Sequence, residues 1–181
     1  MTDEPVPVTA PKVVSPYNPA NVLTVLRIVL VPVFVVIVVA SGLEGTGARI
    51  AACLVFCLAS ATDFVDGWIA RKWSLVTSFG KVADPIADKA LTGAALIGLS
   101  VVGDLAWWVT VVILVREIGV TALRFFVIRH GVIPASRGGK VKTMLQAVAT
   151  GLFILIPIGS WLKPVAWTFM MAAVVVALAT G

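Results

Sequence analysis

Four aspartates and two glycines carry the chemistry legible in this 181-residue chain. They lie in Asp63-Phe64-Val65-Asp66-Gly67-Trp68-Ile69-Ala70-Arg71 and its continuation through Gly80, Asp84 and Asp88. On a helix, Asp63, Asp66, Gly67, Ala70 and Arg71 fall at i, i+3, i+4, i+7 and i+8, one continuous stripe. The stripe holds two carboxylates, two small residues that would let a ligand approach the backbone, and a cation below them. Asp84 and Asp88 stand one turn apart and present a second acidic edge. Two such edges facing each other make an oxygen-rich cage for a hard divalent cation such as Mg²⁺. Simple pairing with Arg71, Lys72, Lys81 and Lys89 would account for one carboxylate better than for four. A proton or ion pathway is the stronger rival, but it needs neither a glycine stripe nor a basic pocket for an anion.

The elements that must position these groups are apolar. The chain is 60% hydrophobic with a mean hydropathy of +1.06, well above the ~45–50% apolar content of soluble domains. A carboxylate among such segments is costly unless it has a partner or a task. The expected fold is all-α: a polytopic membrane protein of about six transmembrane helices around a cytoplasm-facing polar cavity. The expected spans are 22–40, 50–70, 86–102, 105–128, 141–158 and 161–180. Residues 1–17, with Pro5, Pro7, Pro11 and Pro16, read as a mobile cytoplasmic tail, and residues 18–181 as one membrane domain. No apolar stretch precedes Val22, so no cleavable signal peptide is expected. The end at Gly181, without a basic tail, fits a shortened C-terminus.

The net charge of +5 and pI near 9.6 do not indicate nucleic acid, because the cations are segregated. With the N-terminus inside, Lys12, Arg27, Arg71, Lys72, Lys81, Lys89, Arg124, Arg129, Arg137, Lys140 and Lys142 lie toward the cytoplasm. Arg49 and Lys163 lie outside, which is the positive-inside pattern. Cys53 and Cys57, one turn apart, read as small apolar filling, since i,i+4 positions splay too far for a disulfide.

Asn18 and Pro19 are expected to start the first helix. Asn21, Thr24 and Arg27 share a face below the first span. Capping and snorkelling account for them, although they could also line the mouth of the site. Pro32 is expected to kink this span. Pro85 suits the first turn of the third helix, which would place Asp84 at its N-terminus as a possible cap. Arg116 and Arg124, at i and i+8, point to an anionic reactant beside the acidic edge. Arg137, Lys140 and Lys142 could cradle its phosphate with the glycines around them. Their convergence requires the fourth and fifth helices to be antiparallel neighbours. Lys142 is expected to matter less than Lys140, because residues two apart diverge on a helix. Glu117 reads as a salt bridge to another helix.

The order Asp63-x2-Asp66-Gly67-x2-Ala70-Arg71-x8-Gly80-x3-Asp84-x3-Asp88 resembles, at every position, the signature of the CDP-alcohol phosphotransferase family. Asn21-x2-Thr24-x2-Arg27, Arg116-Glu117-x6-Arg124 and Gly139-Lys140-x-Lys142-Thr143-x2-Gln146 look like the bacterial phosphatidylglycerophosphate synthases within it. The resemblance covers residues from Asn18 to about Ile158. It implies a six-helix membrane enzyme, usually homodimeric, that uses Mg²⁺ or Mn²⁺, two ions in all. It also implies CDP-diacylglycerol as donor, glycerol 3-phosphate as acceptor, and the cytoplasmic face of a bacterial inner membrane. By the same resemblance, Asp63, Asp66, Asp84 and Asp88 would hold metal and Asp88 would act as general base. Asp66, Gly67, Ala70, Arg71, Gly80 and Thr24 would border the CDP-lipid. Arg116, Arg124, Lys140, Lys142 and Arg137 would take the acceptor phosphate. Inositol phosphate, or phosphatidylglycerol for cardiolipin synthesis, are the competing acceptors.

Overall fold

A computed structural model describes residues 18–73, 77–127, 137–159 and 161–179. These form six α-helices: α1 (Pro19–Ser41), α2 (Thr46–Lys72), α3 (Ser78–Val101), α4 (Trp107–Val127), α5 (Arg137–Leu155) and α6 (Leu162–Ala179). No strand occurs among the described residues. The starting signals for α1 act as their residue types dictate. The side chain of Asn18 accepts from the Asn21 N–H at 2.9 Å, and Pro19 occupies the first turn, where no donor is needed. The helix runs through Pro32 and ends at Gly42, whose φ of +57° closes a left-handed cap onto the Val38 carbonyl.

The third helix starts earlier than its proline suggests. Thr77 caps it, accepting from the Gly80 N–H at 3.0 Å, so Pro85 lies inside α3 and Asp84 is no cap. Pro85 forgoes only its own bond to the carbonyl four residues back, and the Thr77 cap with an apolar stretch beyond Pro85 keeps the helix continuous. Asp84 and Asp88 therefore stand on a rigid helix wall instead of a frayed end.

Helices α1, α2, α5 and α6 are long and apolar enough to cross a membrane. By the same length and composition measure α3 and α4 are not, because Lys81, Asp84, Asp88 and Lys89 interrupt one, and Arg116, Glu117 and Arg124 the other. The charges of these two helices fall within the stretches that would otherwise cross, whereas those of α2 and α5 lie toward the helix ends. Helix α1 packs on α2 and α3, α2 on α5, and α5 on α6. One half of the bundle is dry. Phe34 and Phe56 meet at 6.1 Å, and Phe153 stands edge-on to Trp167 at 5.3 Å. At Gly98 a Cβ would sit 3.0 Å from Val38, so α3 and α1 cross almost backbone to side chain. Cys53 and Cys57 are free thiols with sulfurs 3.9 Å apart. Cys53 faces the Gly151 carbonyl of α5, whereas Cys57 is exposed and does not fill the core.

Arg49 does more than mark an outer loop. It is buried, and its Nη1 donates to Asp104 Oδ2 at 2.7 Å and to the Ile154 carbonyl at 3.1 Å. One guanidinium therefore ties α2 to the α3–α4 turn and to the end of α5. Arg49→Met should lower stability by about 2–3 kcal/mol, below the full range for a broken buried pair because Asp104 keeps some solvent. Thermal unfolding in detergent would read this as a drop of several degrees. An unchanged midpoint would reduce the staple to a surface ornament.

Candidate active site

The polar half of the bundle is assembled by one face of α1. Asn21, Thr24 and Arg27 each reach a different part of the acidic motif. Asn21 accepts from the Thr77 hydroxyl at 2.9 Å, at the entry to α3. Thr24 donates to Asp84 Oδ1 at 2.7 Å. Arg27 is fully buried; its Nη1 lies 2.6 Å from Asp63 Oδ1 and its Nη2 pairs with Asp66 Oδ2. Arg27 thus does not snorkel to an interface as its position in the sequence suggests. Packing of α1 against α2 and α3 closes that route, and the buried guanidinium instead takes two carboxylates as countercharges.

Gly80 makes this close approach possible. A Cβ there would stand 3.3 Å from both Asn21 Oδ1 and Thr77 Oγ1, and 3.6 Å from Asp84 Oδ2. Even a methyl group there would require Asn21 or Thr77 to give way by a few tenths of an ångström, close to where Thr24 meets Asp84.

A cavity of about 980 Å³ opens beside this junction. Asp63, Asp84 and Asp88 line one side with Arg27. Lys89, Arg116, Glu117 and Lys142 line the same cavity. Asp66 is not on the wall: it is 3% exposed and sits behind it, against Arg27. Among the described residues no three carboxylate, imidazole or thiol side chains gather closely enough to grip one ion. The expected cage is therefore not closed, and the positive charge between Asp63 and Asp66 belongs to Arg27. Asp63 nevertheless faces the charges of Asp84 and Asp88 across the gap between α2 and α3. The donor set suits a hard divalent cation: carboxylate oxygens, with no thiol or imidazole on the cavity wall among the described residues. A guanidinium already held by two of these carboxylates shows that the pocket accepts positive charge.

The basic side is organised differently from the sequence expectation. Among the described residues helix α4 packs mainly on α3 and α6 rather than α5. Arg116 donates through Nε to the Ala177 carbonyl of α6 at 2.8 Å. The two helices nonetheless communicate through side chains, because Glu117 pairs with Lys142 of α5. Lys142, expected to matter less, is buried and lines the cavity. The side chains of Ala70, Arg71, Arg124, Arg137 and Lys140 lie outside the described residues. Arg27, Lys89 and Glu117 are not among the site residues expected from sequence. The sequence does allow Arg27 at the mouth of the site, and it reads Glu117 as a salt bridge to another helix, which it makes to Lys142. Spacing held a signal for Arg27, which continues the Asn21–Thr24 face by another three residues.

A six-helix apolar frame with an acidic wall on α2 and α3 is the architecture that the signature residues require, and the chain belongs to the CDP-alcohol phosphatidyltransferase family, whose model matches residues 17–179. Within that class it is 54% identical over 164 residues to a probable phosphatidylglycerophosphate synthase of Mycobacterium tuberculosis, covering 91% of this chain and 78% of the relative. It is 43% identical over 150 residues to a CDP-diacylglycerol–glycerol-3-phosphate 3-phosphatidyltransferase of Bacillus subtilis, with 77% of each chain covered. A protein of the same name from Shigella flexneri is 36% identical over 168 residues, 90% of each.

Proposed function

We propose that this protein transfers the phosphatidyl group of CDP-diacylglycerol to glycerol 3-phosphate, yielding phosphatidylglycerophosphate and CMP. The observation that carries the reading is one cavity lined by both carboxylates and cations. A diphosphate and a phosphorylated alcohol are both anions, and a purely acidic pocket would repel them. Bound by Asp63, Asp66, Asp84 and Asp88, one or two Mg²⁺ or Mn²⁺ ions would neutralise the diphosphate and the departing CMP phosphate.

The protein's own groups do the rest. The acceptor hydroxyl oxygen forms a bond to the phosphatidyl phosphorus, and the bridging P–O bond to CMP breaks, with its electron pair leaving on CMP. The hydroxyl is a poor nucleophile at neutral pH and needs a base within hydrogen-bond reach. Asp88 takes its proton, since it lines the cavity on the same helix as the cation Lys89. Thr24 holds the Asp84 carboxylate in place, and Gly67, Ala70, Arg71 and Gly80 border the donor. Arg116 and Lys142, with Arg124, Lys140 and Arg137, orient the acceptor phosphate. Lipid tails remain in the bilayer while the headgroup enters the polar half. The positive-inside charge pattern supports a cavity facing the cytoplasm of a bacterial inner membrane, and the family resemblance supports a homodimer.

The test is CMP release by purified protein from CDP-diacylglycerol against a panel of acceptors. Glycerol 3-phosphate should outrun inositol phosphate, phosphatidylglycerol and serine; a faster rate with any other acceptor would reassign it. The base is tested separately. Asp88→Asn should cut kcat by about a hundredfold or more while donor binding stays within a fewfold of wild type. Equal losses in rate and donor affinity would make Asp88 mainly a ligand.

A further inference from the structure

Three cations from three helices converge on one carboxylate in the cavity wall. Glu117 of α4 pairs through Oε1 with Lys142 of α5, its Oε2 lies 3.6 Å from Lys89 Nζ of α3, and Arg116 Nη1 is 3.5 Å from its Oε1. All four side chains line the cavity and none is more than a third exposed. We infer that Glu117 is a resident anion standing where the acceptor's phosphate binds, and that Lys89 belongs to that phosphate site with Arg116 and Lys142.

The charge balance gives the reason. Within this cluster three cations against Glu117 leave two positive charges, the complement of a phosphate monoester dianion. Asp88, which lines the same cavity and also acts on Lys142, is the carboxylate assigned above to the metal and the base. With no carboxylate, three cations in a partly desolvated wall would repel one another and capture any small anion that enters. With it, Lys142 and Lys89 are held facing the cavity, and an incoming anion must compete for them. A dianion carrying several acceptor oxygens wins that competition, whereas a monoanion or an uncharged alcohol does not. Glu117 thereby makes the pocket selective for phosphorylated acceptors. It is a specificity-determining residue and takes no part in bond making. The Arg116 Nε bond to the α6 carbonyl anchors the guanidinium while its Nη1 lies 3.5 Å from Glu117 Oε1.

This inference rests on the acceptor site proposed above, and its test separates the two. Inorganic phosphate serves as the probe, read both as an inhibitor competing with glycerol 3-phosphate and directly by calorimetry on the purified protein. Competition between a carboxylate and a ligand for shared cations corresponds to coupling of about fivefold or more. Glu117→Gln should therefore tighten inorganic phosphate and lower KM for glycerol 3-phosphate by about that factor, leaving KM for CDP-diacylglycerol unmoved. If Glu117 only scaffolds the lysines, the same variant will weaken phosphate and raise that KM. Weaker or unchanged phosphate binding, or equal shifts for both substrates, overturns the inference. Glu117→Asp, which keeps the charge but withdraws it by one methylene, should shift phosphate the same way by a smaller factor if Glu117→Gln fails to fold. If the protein prefers another phosphorylated acceptor, the acceptor assignment fails while the calorimetric comparison still decides the role of Glu117.

Discussion

Asp66→Asn should lower CMP release by about a thousandfold or more and weaken Mn²⁺ binding, measured by electron paramagnetic resonance on purified protein, while leaving the protein folded. The argument for retained folding is local. Asn has the volume of Asp, and Arg27 keeps its second partner, Asp63, at 2.6 Å. The argument for lost function is that Asp66 is buried beside the very carboxylates that would share an ion, so no water can replace its charge. Asp63→Asn and Asp84→Asn should follow the same course, and Asp84→Asn should also weaken the bond from Thr24. Near-normal turnover in any of the three would remove that residue from the metal site.

Replacing Arg27 should produce the largest stability effect in the polar half. Arg27→Gln leaves Asp63 and Asp66 facing each other without their cation. Breaking a buried pair costs about 3–5 kcal/mol, and the lower end applies because Asp63 is 37% exposed on its side chain. A divalent ion should restore part of that loss by supplying the missing charge. Saturating Mn²⁺ should therefore raise the unfolding midpoint of Arg27→Gln by more than it raises that of wild type. Arg27→Lys should fall between, since one ammonium cannot bridge two carboxylates as a planar fork does. If all three proteins unfold alike with and without Mn²⁺, Arg27 is not the countercharge of the site.

The acidic motif could be read before any coordinates because its chemistry is written in side chains at helical spacing. Asp63 and Asp66 on α2, and Asp84 and Asp88 on α3, needed only the period of a helix to be placed on two helices, although Asp66 turns in behind the cavity wall against Arg27. The local signals that failed were those with two physical solutions. Pro85 fits the first turn of a helix and also fits an interior position whose one lost bond the helix can carry; Thr77, eight residues earlier, decided between them. An arginine just below an apolar span can reach water or turn inward, and only the packing of α2 and α3 over α1 turns Arg27 inward. The basic side depended on which helices touch. Neighbours in sequence usually pack together, yet α4 leans on α3 and α6, so Lys142 meets α4 through Glu117 and not through a packed helix pair. No spacing within α4 or α5 encodes that meeting.

The central claim is that one cavity joins an acidic wall that handles a CDP-lipid to a basic wall that handles a phosphorylated alcohol. Its most direct test uses glycerol 3-phosphate carrying a radiolabel, CDP-diacylglycerol and purified wild-type protein with Mg²⁺, counting CMP against label recovered in lipid. The account predicts one CMP per labelled lipid, a product with the mass of phosphatidylglycerophosphate, and loss of both on chelation. CMP released without label entering lipid, or label entering lipid without CMP, would contradict it.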